Sequence, residues 1–164
     1  MTDSLPATPS FRLDGRRAIV TGAGRGLGLS AASALAEAGA EVTLVARSGA
    51  EIEAAAGELR ARGFAARVLV LDVLDTAAVK TALAAEGPFD ILVNNAGTNR
   101  PAPFLAVSEE DFDAILDLNV RAAFFVAQAV ARGLAEAKRP GSIINVSSQM
   151  GQVGAANRTA YCAS

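Results

Sequence analysis

Five short apolar runs, unbroken by polar alternation and separated by stretches of helical period, set the tightest limit on what this chain can fold into. A strand with one wet face alternates polar and apolar residues. Runs such as Ala18-Ile19-Val20 and Ile91-Leu92-Val93 do not, so both their faces must be covered, as in a parallel sheet with helices on each side. The pattern predicts strands over Arg17–Thr21, Glu41–Ala46, Ala66–Leu71, Asp90–Val93 and Ser142–Val146. Helices are predicted between them, over Leu27–Ala38, Glu51–Arg62, Thr76–Ala85 and Ser108 to about Glu136. Gly39, Gly63 and Gly87-Pro88 stop three of them. The expected fold is α/β, a doubly wound parallel sheet with right-handed crossovers. No repeat, low-complexity segment or linker interrupts it, so residues 11–164 are expected to form one domain behind a disordered tail over 1–10.

Composition removes several classes of function. Fifteen basic residues against seventeen acidic ones give a net charge of -2, which argues against binding nucleic acid through a basic face. No run of about eighteen apolar residues is present, so no membrane span is expected. MTDSLPATPS lacks the basic and apolar regions of a signal peptide. The single Cys162 has no internal partner, which fits a reducing, cytoplasmic setting. There is no histidine, which removes Ser-His-Asp and Cys-His catalysis and most transition-metal sites. Any proton chemistry must come from Tyr, Lys, Ser, carboxylates or a cofactor. Tyr161 is the only tyrosine.

Between the first strand and the first helix lies Thr21-Gly22-Ala23-Gly24-Arg25-Gly26-Leu27-Gly28. Glycines let the backbone turn tightly and approach a pyrophosphate, and the helix that follows offers free N–H groups and the positive end of its dipole. The spacing is Gly-x-x-x-Gly-x-Gly and no Lys-Ser/Thr follows, so a P-loop is excluded. Alone, the glycines also suit a plain βα turn; in the first unit of a doubly wound sheet they point to a dinucleotide. An NAD site usually has an acid at the end of the second strand. Here that place holds Ala46-Arg47. Arg47, with Arg25 in the glycine turn, can bond a 2′-phosphate, so NADP is expected over NAD. A solvated loop cation is the other reading of Arg47.

With Asn94-Asn95-Ala96-Gly97 added at the end of the fourth strand, the chain resembles the short-chain dehydrogenase/reductase family. The resemblance runs in order through the glycine turn, Asp72-Val73, the Asn94–Gly97 segment, Asn119, Ser148 and Tyr161. It implies a Rossmann-type domain, with Asp72 and Val73 at the adenine and Asn95, Ala96 and Gly97 on the ribose and nicotinamide side. Asp72, Asn95 and Ser148 all fall at carboxyl ends of predicted strands, on the rim where such sheets bind ligands. For Asn94-Asn95 a self-satisfied polar turn stays open. In the family the residue matching Asn119 bonds a water that feeds protons to the site; without the other motifs, an Asn bonded to a nearby carbonyl is the simpler reading.

Ser148 lies thirteen residues before Tyr161, the family's interval, and Ser147 is the alternative occupant. The resemblance implies that Ser148 binds the substrate oxygen, while Tyr161 exchanges its proton as hydride passes to or from the nicotinamide. An ordinary tyrosine titrates near pH ~10, and the family lowers this with a lysine four residues on. The sequence ends at Ser164, one residue short of that position. The expectation is therefore a C-terminal truncation: an inactive fragment, partly folded or aggregation-prone, with Ser142–Val146 as an exposed apolar edge. The parent is expected to interconvert a secondary alcohol and a ketone on a small molecule, as a homo-oligomer that packs through the long helix. A non-catalytic nucleotide-binding module and a structural subunit are the alternatives. Thr98–Pro101 and the loop over 149–158 should line the substrate pocket, where Arg100 or Arg158 could meet an anionic or polyhydroxylated substrate. Asn157-Arg158-Thr159 is similar to sugar and sugar-acid dehydrogenases.

Overall fold

The computed structural model describes residues 10–164. The tail expected over 1–10 lies, up to residue 9, outside the described residues. Strands β1 (Arg17–Thr21), β2 (Glu41–Ala46), β3 (Ala66–Val70), β4 (Ile91–Asn94) and β5 (Ser142–Asn145) form one sheet in the order β3-β2-β1-β4-β5. Every pairing is parallel. Helices α1 (Gly26–Glu37), α2 (Gly49–Ala61), α3 (Thr76–Glu86), α4 (Glu109–Leu116) and α5 (Ala123–Glu136) make the crossovers, and α6 (Thr159–Cys162) follows β5. The expected doubly wound sheet is present. The chain runs outward from β1 in one direction through β2 and β3, then returns to β4 on the other side. That reversal opens a crevice above the carboxyl ends of β1 and β4.

Alternation along the strands builds a core on each face. Ala18 and Val20 of β1, with Val42 and Leu44 of β2, pack under Ala32 and Ala36 of α1 and Ile52, Ala56 and Leu59 of α2. Ile19, one residue out of phase, faces the opposite layer with Leu92, Val79, Leu83, Val126, Val130 and Leu134. Both faces of β1, β2 and β4 are covered, which is why these strands read as apolar runs.

The long helix departs from expectation in one respect. It is continuous over 109–136, but Asp117–Ala122 winds as a π-helix between α4 and α5. By length and composition it is also long and apolar enough to cross a membrane, although no eighteen consecutive residues of it are apolar. In the fold it lies against the sheet. Its stripe Ile115, Ala122, Val126, Val130 and Leu134 is buried, and charged residues from Glu109 to Glu136 punctuate the rest.

β5 is the edge strand beside β4, and Ile143 and Ile144 are exposed there. The rim at the amino ends of the strands, away from the crevice, is closed by Asp90. Its carboxylate accepts the Arg17 N–H at 2.9 Å and pairs with Arg16 at 3.4 Å and with Arg139. One buried carboxylate thus ties the starts of β1 and β4 to the end of α5.

Candidate functional site

The glycine turn is fastened to β4 from below. Thr21, buried at the end of β1, accepts the N–H groups of Asn95 and Ala96 on its Oγ1, at 3.0 and 3.1 Å. Asn95 answers with its side-chain amide, which donates to the carbonyls of Thr21 and Gly22 at 3.0 and 3.2 Å. Asn95 therefore satisfies backbone, but that of β1 rather than its own. Gly28 is buried against the same junction, where a Cβ would collide with the Gly22 carbonyl and the Asn95 amide. Gly26 has φ +57°, and a Cβ on it would stand in open space at the cleft wall. The first amides of α1 are left without helical partners by geometry, and the absent side chain leaves them open to an anion.

A cleft of about 600 Å³ lies above this turn. Gly22, Gly24, Arg25, Gly26 and Leu27 form one wall, Arg47, Ser48 and Glu51 a second, and Asp72 and Val73 a third. Val73 is 8% exposed and its side chain belongs to the core. Asp72 accepts the Leu74 N–H at 3.0 Å, which shapes the loop. Glu51 was not foreseen: a carboxylate in the first turn of α2 stands against Gly24. With Asp72 it sets two carboxylates against the two arginines on these walls.

Asn95, Ala96, Gly97 and Leu27 also line a second cleft, of about 740 Å³, which makes one continuous trough across the switch point. Volumes of this order suit a small ligand or one half of a dinucleotide. Ser148, Tyr161 and Asn119 all face this second cleft. Ser148 stands three residues beyond β5 rather than at its end. Its Oγ accepts the Met150 N–H at 3.2 Å, so its own proton remains available to donate. Tyr161 projects from α6, half-buried. Ser147, the other serine considered, lines the same cleft.

Asn119 sits in the π-helical segment. Its Oδ1 accepts the Thr98 N–H at 2.8 Å, and its Nδ2 donates to the Thr98 carbonyl and to Ser164 Oγ, each at 2.9 Å. Both amide donors and one lone pair of the amide oxygen are thus engaged. Its visible work is to clamp the loop after β4. Arg100, expected near a substrate, is paired with Asp111 at 2.8 Å. The sequence reading placed Thr21 and Asn94 in its motifs but assigned neither a part in the site. Asn94 donates to Asn145 Oδ1 at 3.0 Å and to the Ala123 carbonyl at 2.9 Å, which joins β4, β5 and α5 below the cleft. A polar residue at the end of an apolar strand was the available signal for both.

The pattern of the short chain dehydrogenases matches residues 16–164. The chain belongs to the short chain dehydrogenase family. L-xylulose reductase of Mesocricetus auratus is 43% identical over 150 residues, 92% of this chain and 60% of the relative. Gluconate 5-dehydrogenase of Gluconobacter oxydans (strain 621H) is 46% identical over 142 residues, 84% of this chain and 55% of the relative. The crystal structure of a gluconate 5-dehydrogenase from Burkholderia cenocepacia J2315 in complex with NADP and tartrate superposes with a TM-score of 0.88 at 42% identity, covering 94% of this chain and 62% of that one. This short chain dehydrogenase sequence thus spans about 60% of the length of the relatives it matches.

Proposed function

We propose that this chain forms the cofactor-binding and proton-transfer part of an NAD(P)-dependent oxidoreductase that interconverts a secondary alcohol and a ketone. The observation that carries the reading is the trough itself. Ser148 and Tyr161, from two separate segments after β5, line one cleft, and that cleft runs into the one above the glycine turn.

The residues present fit a nicotinamide dinucleotide. Main-chain amides beside Gly24, Arg25, Gly26, Leu27 and Gly28 would hold the diphosphate, and Gly22 the turn beneath it. Asp72 and the backbone of Val73 would border the adenine, and Asn95, Ala96 and Gly97 the ribose and nicotinamide. Arg47, at the end of β2 where an NAD site usually carries an acid, would favour the 2′-phosphate of NADP together with Arg25. When bound, the nicotinamide supplies the hydride acceptor or donor. The chain's own residues do the rest. Ser148 donates a hydrogen bond to the substrate oxygen, which orients the carbonyl and stabilises negative charge as it develops. Tyr161 gives that oxygen its proton in reduction and takes it back in oxidation. Asn119 acts as a positioning residue, holding the loop over Thr98 against the cleft.

The relatives named above support a small polyhydroxylated substrate. Phe104, Leu105 and Phe112 are exposed on or near the long helix, apolar surface that supports a homo-oligomer packed through it. A cytoplasmic setting fits the free thiol of Cys162.

The test is Tyr161→Phe in the full-length protein, with ketone-dependent NADPH oxidation and cofactor affinity measured together. Loss of the acid/base should lower kcat by about 10²–10⁴-fold, with cofactor affinity little changed. A Phe variant that turns over like the wild type would remove Tyr161 from the chemistry.

A further inference from the structure

The loop that follows β4 is pinned at alternate residues. Thr98 is held through both its N–H and its carbonyl by Asn119, at 2.8 and 2.9 Å. Arg100 is tied to Asp111 at 2.8 Å. The Ala102 N–H donates to the Asn157 carbonyl at 3.0 Å, which links this loop to the one that carries Tyr161. Between the first two ties stands Asn99, which lines the cleft with Ser148 and Tyr161. Its Oδ1 is shut off from solvent and has no hydrogen-bond partner among the described residues. Thr43 Oγ1 shares that condition, but it lies within β2, away from both clefts.

A buried amide oxygen without a donor destabilises the protein that carries it. Native structures seldom leave one unless a ligand or function accounts for it. Hydrogen bonds to the backbone of Thr98 and Ala102 anchor the chain on either side of Asn99, which limits how far the loop can relax to relieve the deficit. The terminal torsion of an asparagine is soft, so the amide can turn toward a donor that arrives in the cleft. We infer that Asn99 is a specificity residue, whose amide oxygen accepts a hydrogen bond from a substrate hydroxyl other than the one being made or oxidised. The site then selects polyhydroxylated ketones and their polyols over ketones with a bare carbon chain. A substrate without the extra hydroxyl leaves the amide unpaired, which the site penalises. The inference rests on the oxidoreductase reading and names the substrate class within it.

The experiment compares erythrulose with 1-hydroxybutan-2-one, of the same carbon skeleton, in NADPH-dependent reduction by the full-length protein. Wild type, Asn99→Leu and Asn99→Asp are measured, together with melting temperatures in the absence of ligands. Asn99→Leu should cut the preference for erythrulose about tenfold and melt no lower than wild type, because it removes an unpaired acceptor. Asn99→Asp keeps an acceptor and should retain most of that preference. If Asn99→Leu slows both ketones equally, or lowers the melting temperature or fails to fold while Asn99→Asp also loses the preference, the residue is structural and the inference is wrong. A wild type that reduces neither ketone would instead overturn the oxidoreductase reading, and this inference with it.

Discussion

At Gly28 a single methyl group decides whether the first crossover can close. A Cβ there would meet the Gly22 carbonyl and the Asn95 amide, two groups already committed to joining β1 and β4. Neither is the loose end of a flexible side chain, so the turn itself must shift. Gly28→Ala should cost about 2 kcal/mol, a fall in melting temperature of about 6 °C for a domain of this size, and weaken NADP binding at the same time. A variant that melts and binds like the wild type would mean that the turn has slack the geometry denies. The spacing of Gly22, Gly26 and Gly28 was legible in the sequence because only glycine fits such positions. The unpaired oxygen of Asn99 was not, because whether an amide is satisfied depends on residues far along the chain.

The elements followed the apolar pattern closely, since a strand covered on both faces has nowhere to hide a polar residue. Their ends moved by a residue or two. β4 runs Ile91–Asn94 rather than from Asp90, whose side chain is spent on Arg16, Arg17 and Arg139. The π-helical segment had no sequence signature. Asp117–Ala122 has ordinary helix composition, and what marks the segment is tertiary, with Asn119 reaching across to Thr98. The Asp90 cluster gives this scale its prediction. Burial pushes the Asp90 carboxyl up, but the Arg17 N–H and the Arg139 and Arg16 guanidinia outweigh that and hold its pKa below the ordinary aspartate value. The unfolded chain therefore binds the proton more readily than the folded one. The stabilisation is complete above the unfolded value of about 4 and is lost as pH falls through the lower folded value. Asp90→Asn should lose about 2 kcal/mol at neutral pH, and its melting temperature should fall less steeply than that of wild type in acid. Parallel curves for the two proteins would show that Asp90 is not held in this way.

Across the whole molecule, the two rims of the sheet divide the labour. One is closed by ion pairs around Asp90 and one is left open as a trough; the residues given functional roles here gather at the open rim. The chain order that turns back between β1 and β4 opens that crevice. The central claim is that a nicotinamide dinucleotide lies along it, its diphosphate on the first turn of α1. The most direct test is to follow backbone amide resonances of the full-length protein as NADP and, separately, NAD are titrated in. The account predicts shifts concentrated at Gly22–Gly28, Arg47–Ser48, Asp72–Val73 and Asn95–Gly97, saturating at a lower concentration of NADP than of NAD. Saturation by either dinucleotide with the amides of Gly24 to Gly28 unmoved would contradict it.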